Sequence, residues 1–166
     1  MADFHRVRVL VLGCGNILFG DDGFGPAVIE YLQQNYQLPD DVALLDAGTS
    51  VRNILFDVAL SHQRPQRIVI VDGVDTGKRP GQVFELSVDQ LPVNKTDDFS
   101  FHQLPTSNLL RELAESCHVE IRIVCAQVEH IPEEIRPGFS RPVIAAIPEA
   151  CEVIARLCTN GESSNR

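Results

Sequence analysis

Apolar positions along the chain fall into two patterns. Continuous apolar runs at about Val7 to Gly13 and at "RIVIVDGVD", Arg67 to Asp75, read as strands covered on both faces, because a half-exposed strand would alternate apolar with polar residues. "VALLDAG", Val42 to Gly48, and "VEIRIVCAQV", Val119 to Val128, read as two more strands, and "GQVFELSV", Gly81 to Val88, as a fifth. Between these runs the period changes. Val28, Ile29, Leu32 and Tyr36 recur at helical spacing behind Pro26, which suits a first helical turn. Val51, Ile54, Leu55, Val58 and Ala59 form a second helical face, and Leu109, Leu110 and Leu113 mark a third helix in "FHQLPTSNLLRELAESC". The final run, "RPVIAAIPEACEVIARLC", is helical too, with Pro148 expected to kink or break it.

Strands alternating with helices predict a three-layer α/β sandwich, a mostly parallel twisted sheet with helices on both faces, because parallel neighbours need a right-handed helical crossover. A chain of 166 residues is long enough to bury ~70% of its unfolded surface in one core. One domain over residues 1–158 is therefore expected, followed by a small polar tail, "TNGESSNR", expected to be disordered. Open sheets of this kind bind ligands at the carboxyl ends of their strands. The consequence is specific here. Asp21 and Asp22 follow the first strand, Asp46 ends the second and Asp72 ends the third, so four acids are expected to converge on one edge.

Composition narrows the function classes. A net charge of −9 argues against a nucleic-acid partner, since phosphate contacts need clustered Lys and Arg. No apolar run approaches the roughly 20 residues of a membrane span, and the start lacks the ordered segments of a signal peptide, so a cytoplasmic protein without a membrane partner is expected. The five cysteines include no C-x-x-C pair, which suggests neither a disulfide framework nor a thiolate zinc site. Cys151 and Cys158, seven apart on a helix, read as small buried hydrophobes.

What the acidic edge could bind follows from charge. Gly13 and Gly15 open like a dinucleotide fingerprint, but Leu18 stands where its third glycine belongs, and Asp21 and Asp22 would repel a pyrophosphate. Each acid taken alone is more often a helix or turn cap than a ligand. Convergence changes that balance, because adjacent carboxylates raise one another's pKa unless a cation or a donor stabilises them. Among the histidines, His5, His62 and His118 read as surface residues, while His130 follows a strand and is harder to dismiss. His102, in "FSFHQLP", lies on a loop before a helix. Set beside Asp22 and Asp72 it is the preferred third ligand of an O/O/N set suited to nickel, zinc or manganese.

The same stretches resemble the hydrogenase maturation endopeptidases, which trim the large subunit of [NiFe] hydrogenases. Their opening pattern is matched by Gly13, Gly15, Asn16, Leu18, Asp21, Asp22, Gly23 and Gly25; "LDAGTS", "VDG" at Val71 to Gly73 and "HQL" at His102 to Leu104 resemble their later motifs in the same order. The resemblance implies that Asp22, Asp72 and His102 contact metal and act in catalysis, and that Asp46, Gly48 and Thr49 border the same cleft. It implies a partner, the hydrogenase large-subunit precursor, whose carboxyl-terminal extension is removed once nickel is in place. The nickel would arrive with the substrate, with no permanently bound cofactor expected, although other divalent metals could occupy the site. One departure stands out: the family's Gly-x-Gln-Pro-Glu is here Ala126, Gln127, Val128 and Glu129. That loop resembles the branch serving deazaflavin-coenzyme-reducing hydrogenases. The rival expectation is a chaperone that holds the nickel-loaded precursor without cutting it. Cys14 sits at the strand end without an assigned His partner, so it reads as core packing rather than as a nucleophile.

Overall fold

A computed structural model describes residues 3–91 and 107–159. Its elements are β1 (Val9–Cys14), α1 (Phe24–Asn35), β2 (Val42–Gly48), α2 (Val51–Leu60), β3 (Arg67–Val74), β4 (Val83–Leu86), α3 (Ser107–Glu115), β5 (Glu120–Gln127) and α4 (Arg141–Thr159). A short 3-10 turn, Gly20–Gly23, joins β1 to α1. The strands form one sheet in the order β2-β1-β3-β5-β4. β2, β1, β3 and β5 run parallel, and β4 is antiparallel to β5. The α/β sandwich is as expected from the alternating periods; the direction of β4 is not written in its own residues.

Every residue of β1 and β3 is buried, which explains their unbroken apolar sequences. Alternate side chains enter two different cores. Leu10, Leu12, Ile68, Ile70 and Ile123 pack with Leu55, Val58, Leu110 and Leu113 of α2 and α3. Val9, Val11, Val69, Val71 and Val124 pack with Phe24, Val28, Leu32, Ala150 and Ile154 of α1 and α4. Removing a side chain such as Leu55 from water contributes about 1.5–3 kcal/mol before conformational entropy is subtracted.

The close fit of α1 rests on two glycines. A Cβ on Gly25 would lie 2.2 Å from the Cys14 carbonyl oxygen and 2.5 Å from that of Val71, and one on Gly13 would lie 2.5 Å from the Gly25 oxygen. The helix therefore sits directly on β1 and β3, and these glycines serve packing rather than a phosphate cradle. α4 continues through Pro148, so of the expected kink or break the break does not occur. Pro148 and Ile144 lie on the exposed side of the helix, so the Ile144 carbonyl that loses its donor faces water, while Val143, Ala146, Ile147 and Ala150 hold the helix to the sheet. At its far end Arg8 donates to the Cys158 carbonyl at 2.7 Å and Arg67 to that of Leu157, occupying last-turn carbonyls. The polar tail after Thr159 lies outside the described residues.

Candidate active site

The strand order creates the site. The chain leaves β1 for β2 on one side and then returns across β1 to β3 on the other, so the loops after β1 and β3 part at their carboxyl ends. Asp22, on the 3-10 turn after β1, and Asp72, near the end of β3, lie at that parting. Both are buried. Asp72 follows Ile68 and Ile70 on the face covered by α2 and α3, and neither of its carboxylate oxygens has a hydrogen-bond partner among the described residues. Burial pushes its carboxyl pKa well above the ordinary value, the Asp22 charge adds to the rise, and the nearby Gly73 backbone N–H, short of hydrogen-bond geometry, opposes both.

Gly15 makes the turn between the acids possible. Its φ of 126° lies in a region side chains rarely adopt, and a Cβ there would lie 1.9 Å from the Asp22 carbonyl oxygen and 3.7 Å from Asp72 Oδ1. The next amide, Asn16 N–H, donates to Asp22 Oδ2 at 3.0 Å and fixes that side chain.

Four acids do not converge. Asp21 turns away from Asp72: its Oδ1 accepts the Ser140 amide at 2.8 Å, and its Oδ2 accepts the Ser140 hydroxyl at 2.8 Å and the Glu129 amide at 2.9 Å. Neighbours on a tight turn cannot both face one point, and the chain uses one to tether the β5–α4 connection. Asp46 is exposed and accepts the Gly48 amide at 3.0 Å, closing a turn that Gly48 completes at φ 53°. Gly48 is half-buried and its carbonyl receives the Gly15 amide at 3.0 Å; Thr49 is exposed. This places Asp46, Gly48 and Thr49 beside the turn after β1. Neither Asp21 nor Asp22 caps α1, whose N-cap position is Gly23 without a side-chain bond.

His102 lies outside the described residues, as does the rest of "HQL". Among the described residues no group of three His, Cys, Asp or Glu side chains is arranged to hold a metal. Asp22 and Asp72 come together, and the third member of the predicted set falls in the segment 92–106. His130 is exposed, and its backbone amide, rather than its ring, reaches Asp21 at 3.4 Å. His62 is exposed beyond the end of α2.

Cys14 and Cys125 flank Asp72. Cys125 is its register partner on β5, and the β1–β3 register continued by one residue puts Cys14 on the other side. Burial first, then the Asp72 charge, drives both thiols upward, so Cys14 stays a protonated core thiol. That matches the packing expectation. Sequence reasoning missed Gln127, which is buried: its Oε1 accepts the Thr76 amide at 2.9 Å, and its Nε2 donates to Asp75 at 3.0 Å, so it shapes the turn after β3. A buried glutamine ending an apolar strand was the available signal.

Orphaned carboxylate oxygens, a second acid nearby and a dry surrounding disfavour an anion and suit a cation. Fold and site thus define an α/β protein with two buried acids, Asp22 and Asp72, at the switch point of its sheet. The family model described as HycI, hydrogenase maturation protease, matches residues 26–157. A putative hydrogenase maturation protease of Methanocaldococcus jannaschii is 36% identical over 146 residues, covering 88% of this chain and 93% of that protein. The hydrogenase 2 maturation protease of Escherichia coli is 35% identical over 159 residues, covering 93% of each. The solved structure of the hydrogenase maturating endopeptidase HybD from E. coli superposes with a TM-score of 0.73 at 30% identity, covering 91% of each chain. The chain belongs to the hydrogenase maturation proteases, and it is an endopeptidase of that family.

Proposed function

We propose that this protein removes the carboxyl-terminal extension of a [NiFe] hydrogenase large-subunit precursor after nickel insertion, and that Asp22, Asp72 and His102 recognise the precursor's nickel. The observation that carries this reading is Asp72, fully buried with both carboxylate oxygens unpartnered among the described residues. Such a group is costly without a cation, and a cation brought by the substrate would offset that cost only when the correct precursor is bound. Recognition and positioning are then one event. The protein would keep no permanent cofactor, and it would act in the cytoplasm. A relative that is 36% identical, the coenzyme F420 hydrogenase subunit delta of Methanothermobacter thermautotrophicus, favours the deazaflavin-coenzyme-reducing branch as its substrate class.

Peptide hydrolysis requires a water to add to the carbonyl carbon, the C–N bond to break and a proton to reach the departing amine. Nickel carried by the precursor, held by Asp22, Asp72 and His102, would supply Lewis-acid polarisation there. Asp22, fixed by the Asn16 amide, supplies an oriented carboxylate beside it, and Asp72 holds its proton more firmly than an exposed acid does. Cys14 takes no part.

The test is incubation with the co-encoded large-subunit precursor, with and without nickel, followed by intact mass measurement. Loss of one carboxyl-terminal peptide from the nickel-loaded form alone is expected. Asp72→Asn and His102→Ala should abolish that loss, whereas His62→Ala should leave it intact. An unchanged mass with binding retained would make the protein a non-cleaving chaperone of the loaded precursor.

A further inference from the structure

Asn16 stands in the opening glycine motif, and the chemistry above uses only its backbone amide. Its side chain closes a local turn, in which Oδ1 accepts the Leu18 amide at 3.0 Å. A backbone N–H can only donate, so the carboxamide oxygen must face it and the nitrogen must face the other way. That nitrogen carries two N–H donors, and among the described residues neither has a hydrogen-bond partner. Asn16 is half-buried, and its free nitrogen is not sealed from solvent.

These donors stand beside both acids. The Asn16 amide donates to Asp22 Oδ2 at 3.0 Å, and a Cβ on the preceding residue, Gly15, would lie 3.7 Å from Asp72 Oδ1. Covalent geometry keeps the carboxamide nitrogen within about 5 Å of its own backbone nitrogen in any rotamer. The frame around it is fixed. The Asn16 carbonyl accepts the Phe19 amide at 3.1 Å, and the Leu18 carbonyl accepts the Arg136 amide at 2.8 Å across the Phe19–Arg136 bridge. Ile17 is pressed against the same turn, since a Cβ on Gly23 would lie 2.8 Å from its Cα. A donor held in this way needs no reorganisation when negative charge develops opposite it.

Closing the turn does not by itself require asparagine, because a serine or aspartate oxygen accepts the same amide. Resting on the endopeptidase reading above, we infer that Asn16 is a catalytic residue whose Nδ2–H donates to the scissile carbonyl oxygen of the precursor. As water adds to the carbonyl carbon, the carbonyl π pair moves onto that oxygen, and Nδ2–H stabilises the charge without giving up its proton. When the C–N bond breaks, the pair returns to the carbon–oxygen bond and the departing amine takes the proton that the water released. A neutral donor suits this position. A lysine or arginine there would pair with Asp22 and Asp72 and compete with the metal for them.

The experiment is steady-state processing of nickel-loaded precursor by Asn16→Ser and Asn16→Asp, with Tm and precursor binding by fluorescence anisotropy measured on each. Both variants keep an acceptor for the Leu18 amide and lose the carboxamide donor; serine does so without adding charge beside the acids. Asn35→Ser, at the far end of α1, is the control and should change nothing. Both Asn16 variants should keep the parent's Tm to within a few degrees, and kcat should fall about 100- to 1,000-fold. KM and precursor affinity should stay within about twofold, because the donor acts on charge that exists only in the transition state. Retained kcat in either folded variant would overturn the inference. A raised KM at unchanged kcat, or a loss of kcat that appears only where Tm also collapses, would overturn it too, the latter by reducing Asn16 to turn closure. If the parent binds the precursor without cutting it, the endopeptidase reading itself fails; if parent and variants cut equally, only the role of Asn16 does.

Discussion

Asp72 should lower the stability of the metal-free protein, and replacing it should reveal by how much. Its carboxyl group is fully buried, with both oxygens unpartnered among the described residues, beside Cys14 and Cys125 and near a second acid. Asp72→Asn keeps the shape and removes the charge. Because the folded-state pKa is raised, the native protein binds the proton more tightly than the unfolded chain. Stability from this group is therefore complete below the ordinary carboxyl pKa of about 3.9 and is lost as pH rises from there towards the raised folded value. The asparagine variant has no such loss. Removing an uncompensated buried polar charge should stabilise the protein at neutral pH by about 1–3 kcal/mol, or roughly 2–4 °C in Tm for each kcal/mol in a chain of this size. Urea denaturation of chelator-treated protein at pH 5 and pH 8 measures it. The advantage of Asp72→Asn should be larger at pH 8, while processing of the precursor is lost. A variant less stable than the parent at pH 8, or an advantage larger at pH 5, would refute the reasoning.

Four other substitutions test further parts of the structure. Cys14→Ala should retain processing, with stability lower by about 1–2 kcal/mol from the lost sulfur packing, and the buried Cys14 thiol of the folded parent should resist alkylation; loss of turnover in a folded variant would restore Cys14 as a reacting group. His118→Gly should raise stability by about 0.5–1 kcal/mol by thermal denaturation, because His118 holds φ 57° where α3 gives way to β5, a conformation glycine adopts without a Cβ clash. Gly25→Ala should cost about 3 kcal/mol or leave the protein insoluble, since its Cβ would meet the Cys14 and Val71 carbonyls. Gly77→Ala, at φ 75° with open space around it, should cost only about 1 kcal/mol by urea denaturation.

β1, β3 and the helices were legible because burial on both faces demands unbroken apolar runs, and burial on one face demands a helical stripe; local composition records both. Cys151 and Cys158 were legible for the same reason and are buried on α4. The placement of Asp22 and Asp72 at strand ends followed from strand order in an α/β sheet, and the family motifs pointed to the same residues.

Asp21 was not separable from Asp22 by sequence, because what distinguishes them is Ser140, a partner 119 residues away that only folding brings near. Asp46 likewise read as a site acid, and its Oδ1 accepts the amide of Gly48, two residues along the chain. Pro148 read as a kink or a break because propensity is local, whereas burial of the opposite face of α4 against the sheet is not, and it carries the helix through. The antiparallel direction of β4, the role of Gln127 and the joining of Phe19 to Arg136 all depend on pairings between distant segments. By itself the sequence determined the element types, the sheet's buried strands and the identity of the edge acids, because those depend on the solvent exposure of each residue. Which acid faces the crevice, and which one ties its wall in place, was decided by tertiary structure, because hydrogen bonds between remote residues set the direction of each side chain.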